Sequence, residues 1–214
     1  KHFRHKSSST GGLLVRRPAL MAPEQPLNPA VLVCGGAVVD CIVKPFDASQ
    51  RGASRTSLPG AARVSLGGVA RNIAEVIARL GGAPRLLSAV GADEAGEQLL
   101  SAAQKLGIDV AHVARVPAAR TATFTALLDG SGDLVGAVAD MAVFDEVLPT
   151  SVDAAVSAGA LSGAGLVVCD GNLSETTLAR VLECTSAANV PVWYEPVSVA
   201  KATRGGRAAA GAGR

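Results

Sequence analysis

Short apolar runs alternate along the chain with segments of helical periodicity, and this alternation limits the fold more than any other feature. The apolar runs occupy residues 31–34, 86–90, 166–169 and 190–194. Continuous apolar runs of this length are typical of strands that are buried on both faces, as in a parallel sheet. The sequence therefore predicts an α/β fold with an open, mostly parallel sheet flanked by helices.

Four segments between these runs predict helices. They are residues 72–80, 93–106, 151–160 and 174–187. The first repeats apolar side chains at helical spacing and is followed by Gly81-Gly82, a common stop signal. Asp93 and Ser174 are suited to cap the second and the last, because their side-chain oxygens can accept hydrogen bonds from free helical N–H groups.

A predicted hairpin interrupts the alternation of strands and helices. Residues 121–128 and 134–138 have strand character and enclose the turn-forming segment Asp129–Asp133. The hairpin therefore predicts a small β insertion beside the main sheet. Because ligands of open α/β sheets bind beyond the carboxyl ends of the strands, the polar residues that follow each strand are the candidate site.

The formal net charge of +2 combines an acidic body with basic ends. Residues 24–200 carry all 18 acidic side chains and 11 of the 20 basic ones, which leaves this part at −7. A nucleic-acid binder should instead cluster basic residues on its folded surface, and an aromatic content of 3% offers few platforms for stacking bases. No apolar run approaches the ~20 residues that cross a bilayer. We therefore expect no nucleic-acid partner and no membrane span.

Both ends have compositions that predict segments outside the fold. Residues 1–20 are rich in Ser and Arg and contain no acidic residue, as transit peptides do. The alternative, which we favour, is that Met21 is the true start. The expected location is cytoplasmic, or mitochondrial if residues 1–20 are a genuine transit peptide. We expect residues 1–30 to be disordered or non-native, and the Gly/Ala/Arg-rich residues 203–214 to be disordered as well.

The cysteines and histidines give no pattern of a metal site. No pair of cysteines has CxxC spacing, and three of the four lie in or beside apolar runs. They are therefore expected to be small buried hydrophobic residues rather than metal ligands or disulfide partners. The three histidines are scattered, so neither a metal cluster nor a His-based triad is predicted.

Three polar segments after predicted strands could bind a ligand. Gly35-Gly36 is followed by Asp40, whose carboxylate could accept hydrogen bonds from hydroxyl groups or merely cap a turn. Gly67–Asn72 leads into a helix, where paired glycines allow close backbone approach and the helix N-terminus offers N–H donors. This segment is neither GxGxxG nor a Walker loop. Asp170–Asn172 follows an apolar strand and is either a site or an ordinary turn and cap.

Together these segments resemble the N-terminal signature of the ribokinase-like (PfkB-type) carbohydrate kinases. The resemblance rests on Gly67–Glu75, Leu80-Gly81 and Ser88–Asp93, with Gly35-Gly36 and Asp40 similar to the family's first strand and substrate-binding aspartate.

The resemblance covers residues 31 to about 202, which correspond to the N-terminal two-thirds of such a kinase domain. Within the family, residues 71–75, 169–173 and 194–202 look most like the pseudouridine kinase subgroup.

The resemblance implies transfer of the γ-phosphoryl group of ATP, with Mg²⁺, to a ribosyl or nucleoside substrate such as pseudouridine. The implied substrate-binding residues are Asp40, Gly67, Gly68, Arg71, Asn72, Thr123, Asp170 and Asn172. For Arg71 the alternative is a surface helix residue. The β insertion, residues 41–66 with 120–140, would form a lid that excludes water, and a homodimer through that lid is expected from the family.

The sequence also departs from the family pattern. The family's N-x-x-E and G-A-G-D motifs, which supply the metal-linked site, anion hole and general base, have no match here. Gly211-Ala212-Gly213 lacks the following aspartate. We therefore expect no catalytic base, no metal ligand and little of the ATP site in this chain, which would be inactive alone. Two alternatives stay open: a short form that binds a ribosyl ligand or a partner, and an unrelated α/β nucleotide-binding module.

Overall fold

A computed structural model of the chain describes residues 29–47 and 57–212. The central sheet contains β1 (Ala30–Cys34), β4 (Ala83–Gly91), β5 (Asp109–Val116), β8 (Ala164–Asp170) and β9 (Val192–Glu195). The small sheet contains β2 (Val38–Pro45), β3 (Gly60–Gly67), β6 (Thr123–Leu128) and β7 (Leu134–Asp140). The helices are α1 (Val69–Arg79), α2 (Glu94–Lys105), α3 (Pro149–Ser157), α4 (Glu175–Ala187) and α5 (Ala202–Gly211), with 3-10 turns at Ala142–Glu146 and Val199–Lys201.

The central sheet is parallel throughout, with strand order β5-β4-β1-β8-β9. Alternate residues of its strands face two separate cores. On β1, Leu32 and Cys34 pack with α3, α4 and α5, whereas Val33 packs with α1 and α2. Burial on both faces accounts for the continuous apolar runs and confirms the predicted parallel α/β architecture.

The small sheet has the order β3-β2-β6-β7 and is mixed. β2 runs antiparallel to β3 and parallel to β6, and β6 and β7 form the predicted hairpin. The hairpin turn is held by Asp129, whose carboxylate accepts hydrogen bonds from the backbone N–H groups of Ser131, Gly132 and Asp133. These strands lie within or close to the two segments that the resemblance assigns to a lid.

The predicted helix caps are confirmed. The Asp93 carboxylate accepts a 2.9 Å hydrogen bond from the Gly96 N–H, and the Ser174 hydroxyl accepts one of 3.2 Å from the Thr177 N–H. The first helix begins earlier than its apolar pattern predicts, at Val69. Ala70 in its first turn is buried in the core with Val33, and the Arg71 N–H donates to the Gly36 carbonyl in the loop after β1.

The C-terminal segment corrects the expectation of disorder, since α5 extends from Ala202 to Gly211. Alanine favours helix, and the small residues let this helix approach its neighbours. Ala208 is 2% exposed, and a side chain at Gly205 would overlap the Tyr194 ring. Arg207 also pairs with Glu175 of α4. Residues 213–214, like the predicted extension up to residue 28, lie outside the described residues, whereas Ala30 already belongs to β1.

No helix in the described part of the chain has the length and apolar character to cross a membrane.

Candidate functional site

Asp40 occupies the middle of the small sheet and lies directly beside Gly67. The carboxylate fills the space that a side chain at Gly67 would need, so only glycine fits at the end of β3. Asp40 is half-buried, and burial raises the pKa of its carboxyl group. No described residue donates a hydrogen bond to this carboxylate, which leaves its oxygens available to hydroxyl groups of a ligand.

The Gly67-Gly68 segment turns the chain from β3 into α1. Gly68 has φ +93°, and a side chain there would collide with the Gly36 carbonyl. Glycine adopts this left-handed backbone without strain. The close approach brings the loop after β1 against the start of α1, and the Arg71 N–H donates a 3.1 Å hydrogen bond to the Gly36 carbonyl.

Asp170, at the end of β8, lies beneath these loops, and its carboxylate links them by hydrogen bonds. It is 0% exposed. Its carboxylate accepts hydrogen bonds from the backbone N–H groups of Gly36 (2.8 Å), Ala70 (3.0 Å) and Asn172 (2.8 Å), and from Asn172 Nδ2 (3.1 Å). Gly35, at φ +146°, leaves the room that the carboxyl group occupies.

Burial raises the pKa of Asp170, and the four donors oppose that shift. Four N–H donors around one carboxyl group favour the ionised form. The N–H of Ala70 in the first turn of α1 is thereby used inside the protein, and the Arg71 N–H is used by Gly36. The structure thus differs from the expectation that Asp170 and the free N–H groups of this helix face a ligand: Asp170 supports the site from beneath.

Asn172 lies above Asp170 and reaches the rim. Its Oδ1 accepts a 2.6 Å hydrogen bond from Lys201 Nζ, and Arg204 Nη1 donates a 3.0 Å bond to the Gly171 carbonyl. Burial lowers the pKa of Lys201, and the nearby Arg204 charge lowers it further. Sequence reasoning missed Lys201 and Arg204 because the second lies in a low-complexity segment that was expected not to pack.

Arg71 is buried, which excludes the alternative of a surface helix residue. Its Nη1 donates to the Leu66 carbonyl at the end of β3 and to Asn72 Oδ1, both at 3.1 Å. Glu75 on the next turn pairs with the same guanidinium group. The buried Nε has no hydrogen-bond partner within the described ranges. Arg71 therefore ties the small sheet to α1 and fixes the amide orientation of the exposed Asn72.

Thr123 lies on the other face of the small sheet from Asp40. In the β2–β6 register, Thr123 pairs with Val39 and Phe124 pairs with Asp40. Successive residues of a strand point to opposite faces, so Phe124, and Ser65 across β3, share the face of Asp40. The register, which sequence does not reveal, separates Thr123 from the predicted group.

The remaining predicted residues converge on one rim. Asp40 lies against Gly67, Gly68 lies against Gly36, and a side chain at Gly36 would come within 2.7 Å of Asn172 Nδ2. The rim thus carries a hydroxyl acceptor and an amide at one end and two cations at the other. Over residues 29–47 and 57–212, no cluster of three or more His, Cys, Asp or Glu side chains could hold a metal ion.

The described residues thus combine a parallel α/β core, a small β sheet and a glycine-lined rim beside a half-buried aspartate. The sequence profile described as pfkB family carbohydrate kinase matches residues 30–207. The chain belongs to this family.

The proteins similar to this chain include two pseudouridine kinases and a carbohydrate kinase of known structure. Pseudouridine kinase of Escherichia coli is 34% identical over 81% of the chain and 53% of that protein. Pseudouridine kinase of Arabidopsis thaliana is 29% identical over 81% of the chain and 44% of that protein. A carbohydrate kinase structure from Agrobacterium tumefaciens superposes with TM-score 0.75 and 29% identity, covering 84% of this chain and 57% of that one. The chain spans about half the length of the curated relatives it matches.

The fold is shared more widely. Ribokinase of Arabidopsis thaliana, solved with ribose and ATP, superposes with TM-score 0.68 at 19% identity, over 78% of this chain and 53% of that one. At this identity the likeness concerns the fold alone.

Proposed function

We propose that this chain forms the substrate-binding part of a pseudouridine kinase, which transfers the γ-phosphoryl group of ATP to pseudouridine and yields pseudouridine 5′-phosphate. The observation that carries the proposal is the Asp40 carboxylate, which lies against Gly67 with no described donor of its own. The likeness to two pseudouridine kinases supports this substrate over other sugars.

In this proposal Asp40 accepts hydrogen bonds from two ribose hydroxyl groups, which requires its ionised form. Asn72 uses its Nδ2 as a donor to the same sugar, because its Oδ1 is already held by Arg71. Gly67 and Gly68 let the sugar approach the backbone closely. Asn172 is an additional contact at the rim, and Asp170 keeps the loops in place.

ATP and Mg²⁺ are the cofactors that the family implies. The described residues offer no cluster of three or more His, Cys, Asp or Glu side chains for the metal ion. We assign the metal and the catalytic proton transfer to no residue of this chain. A role limited to ligand binding is the alternative function.

The small sheet is proposed to act as a lid over the sugar and as the contact of a homodimer. Its face opposite Asp40 exposes apolar side chains, with Val64 at 64% and Val138 at 72% exposure. An exposed apolar face of this kind is typical of a protein interface. Val138→Lys is expected to convert a dimer to a monomer in light scattering after size exclusion. An unchanged mass would contradict the dimer.

Calorimetric titration with pseudouridine, uridine and ribose tests the substrate. We expect pseudouridine to bind most tightly and Asp40→Asn to weaken its binding about 10- to 100-fold. Thr123→Val is the matched control, because this threonine lies on the same strand pair but on the opposite face. A chain that binds none of the three compounds contradicts the proposal. A chain that binds pseudouridine without phosphorylating it in the presence of ATP and Mg²⁺ supports the binding-only role.

A further inference from the structure

Two cations on the rim have no acidic partner among the described residues. Lys201 and Arg204 approach the loop after β8, where Lys201 Nζ contacts Asn172 Oδ1 and Arg204 Nη1 contacts the carbonyls of Gly171 and Leu173. Among the described residues neither lies within salt-bridge distance of a carboxylate, whereas Arg207 on the same helix pairs with Glu175.

The two cations are also close to each other and partly shielded from water. Burial lowers the pKa of Lys201, and the Arg204 charge adds to this effect. The acidic groups nearby are already engaged. Asp170 is surrounded by four N–H donors beneath Asn172, and Glu195 accepts a hydrogen bond from the Val197 N–H. Glu175, whose pKa is lowered by Arg207 and further by the Arg204 charge, pairs with Arg207. Two half-shielded cations that meet only neutral acceptors would be stabilised by an anion between them.

The loop that places Lys201 is strained. Val197 has φ +66°, which a β-branched residue rarely adopts, and the Ser198 N–H donates a 2.6 Å hydrogen bond back to the Pro196 carbonyl. Strain of this kind concentrates at functional sites, where the surrounding structure holds it in place. Here it directs the chain from β9 into α5 so that both cations face the loop at 171–173.

We propose that Lys201 and Arg204 form a phosphate subsite at the end of the rim away from Asp40. The inference rests on the proposed function, because Asn172 connects these cations to Gly36 and the sugar-binding glycines. The phosphate bound there belongs either to the nucleotide cosubstrate or to the 5′-phosphate of the product. Lys supplies a point charge for phosphate and Arg a planar pair of donors.

Calorimetry on the full chain tests the subsite with three probes: inorganic phosphate, ATP and pseudouridine 5′-phosphate. Lys201→Met keeps the aliphatic stem and removes the charge. We expect it to weaken binding of the responsible phosphate compound about tenfold or more, since a hydrogen bond to a charged group is lost. Arg204→Met should act in the same direction. Stronger binding of ATP than of the product phosphate assigns the subsite to the cosubstrate, and the reverse order assigns it to the product.

Arg207→Met is the matched control, because it removes one charge from the same helix but from a residue already paired with Glu175. Equal losses in this variant and in Lys201→Met would show a general charge effect and overturn the proposal. Wild-type protein that binds none of the three probes would overturn it too. Asp40→Asn should weaken pseudouridine binding about 10- to 100-fold and leave the binding of inorganic phosphate and ATP unchanged, so failure of the subsite and failure of the substrate proposal are distinguishable.

A measurement on wild-type protein covers the case in which the variants do not fold. Acetylation of Lys201 by a small reagent, followed by mass spectrometry, should be slowed by the bound phosphate probe, while acetylation of Lys105 should not change. Equal labelling of Lys201 with and without the probe would contradict the subsite.

Discussion

The carboxylates of Asp170 and Asp40 lie near the same rim but in different environments. Asp170 is fully buried at the end of a central strand and accepts four hydrogen bonds from the loops around it. Asp40 is half-buried on the small sheet and receives none from the described residues. The first is satisfied by the protein and shapes the site. The second keeps free acceptor positions, which the proposed function assigns to the hydroxyl groups of a ligand.

Removing the Asp170 carboxylate should have the largest effect on stability. In Asp170→Leu, three backbone N–H groups of Gly36, Ala70 and Asn172 lose their acceptor in the interior. Buried donors without partners cost about 1–3 kcal/mol each, so we expect a loss of at least about 3 kcal/mol. Urea unfolding followed by circular dichroism measures it. A loss below about 1 kcal/mol would be close to the effect of a substitution on the protein surface. It would show that Asp170 does not hold the loops together.

Removing the Asp40 charge should weaken binding strongly and change stability little. Asp40→Asn is expected to weaken pseudouridine binding about 10- to 100-fold, because charge-assisted hydrogen bonds to the sugar are lost. The free energy of unfolding should change by less than about 0.5 kcal/mol, since no described donor depends on this carboxylate. Calorimetry and urea unfolding on one sample give both quantities. Strong destabilisation of Asp40→Asn with normal binding would contradict the proposal that Asp40 binds the substrate rather than supports the fold.

Arg71 should affect binding through Asn72. Arg71→Lys keeps a positive charge but cannot hold Leu66 and Asn72 together, and we expect binding about three- to tenfold weaker. In the Asn72→Ala background the same change should add little, because the interaction it disturbs is already gone. Arg79→Lys is the control, since Arg79 pairs with the same Glu75 but is exposed. Additive losses in the double variant would show that Arg71 acts independently of Asn72.

The pH dependence of stability and of pseudouridine binding should be the smallest of these effects. It should also distinguish the contribution of Asp40 to stability from its contribution to binding. Burial raises the pKa of Asp40 in the folded chain above its ordinary value. The folded state therefore holds a proton that the unfolded state has already released, and Asp40 contributes more to stability as pH falls through that window. Over the same window pseudouridine binding should weaken, because the protonated carboxyl is a poorer acceptor.

The difference between wild type and Asp40→Asn isolates this contribution, since the pKa of Asp170 is raised by burial as well. Unfolding and calorimetry at several pH values between about 3 and 7 provide both curves. A pH dependence of binding that persists in Asp40→Asn would place the titrating group elsewhere.

The elements were predictable where local chemistry decided them. Apolar runs marked β1, β4 and β8 because these strands supply two cores. A run also marked β9, although Val192 and Tyr194 pack in one core only and Trp193 is exposed, whereas the edge strand β5 carried no such run. Asp93 and Ser174 marked helix starts because capping is a contact within a few residues. The α5 helix was not predicted, because its Gly/Ala/Arg composition contains no large apolar side chain that would mark a buried face, and its packing depends on Tyr194 and α4.

The sequence by itself determined the parallel α/β class and the presence of the paired glycines and Asp170-Gly171-Asn172 at strand ends. It also marked Asp40, which the structure places within β2 rather than after a strand. Only the tertiary structure decided what each of them does. Asp170 is fully buried, whereas Asp40 is only half-buried. The strand register places Thr123 on the face opposite Asp40. The 3-10 turn before α5 places Lys201 at the rim, and α5 places Arg204 there. Burial, register and long-range approach depend on residues far apart in the chain, and a single sequence does not specify those distances.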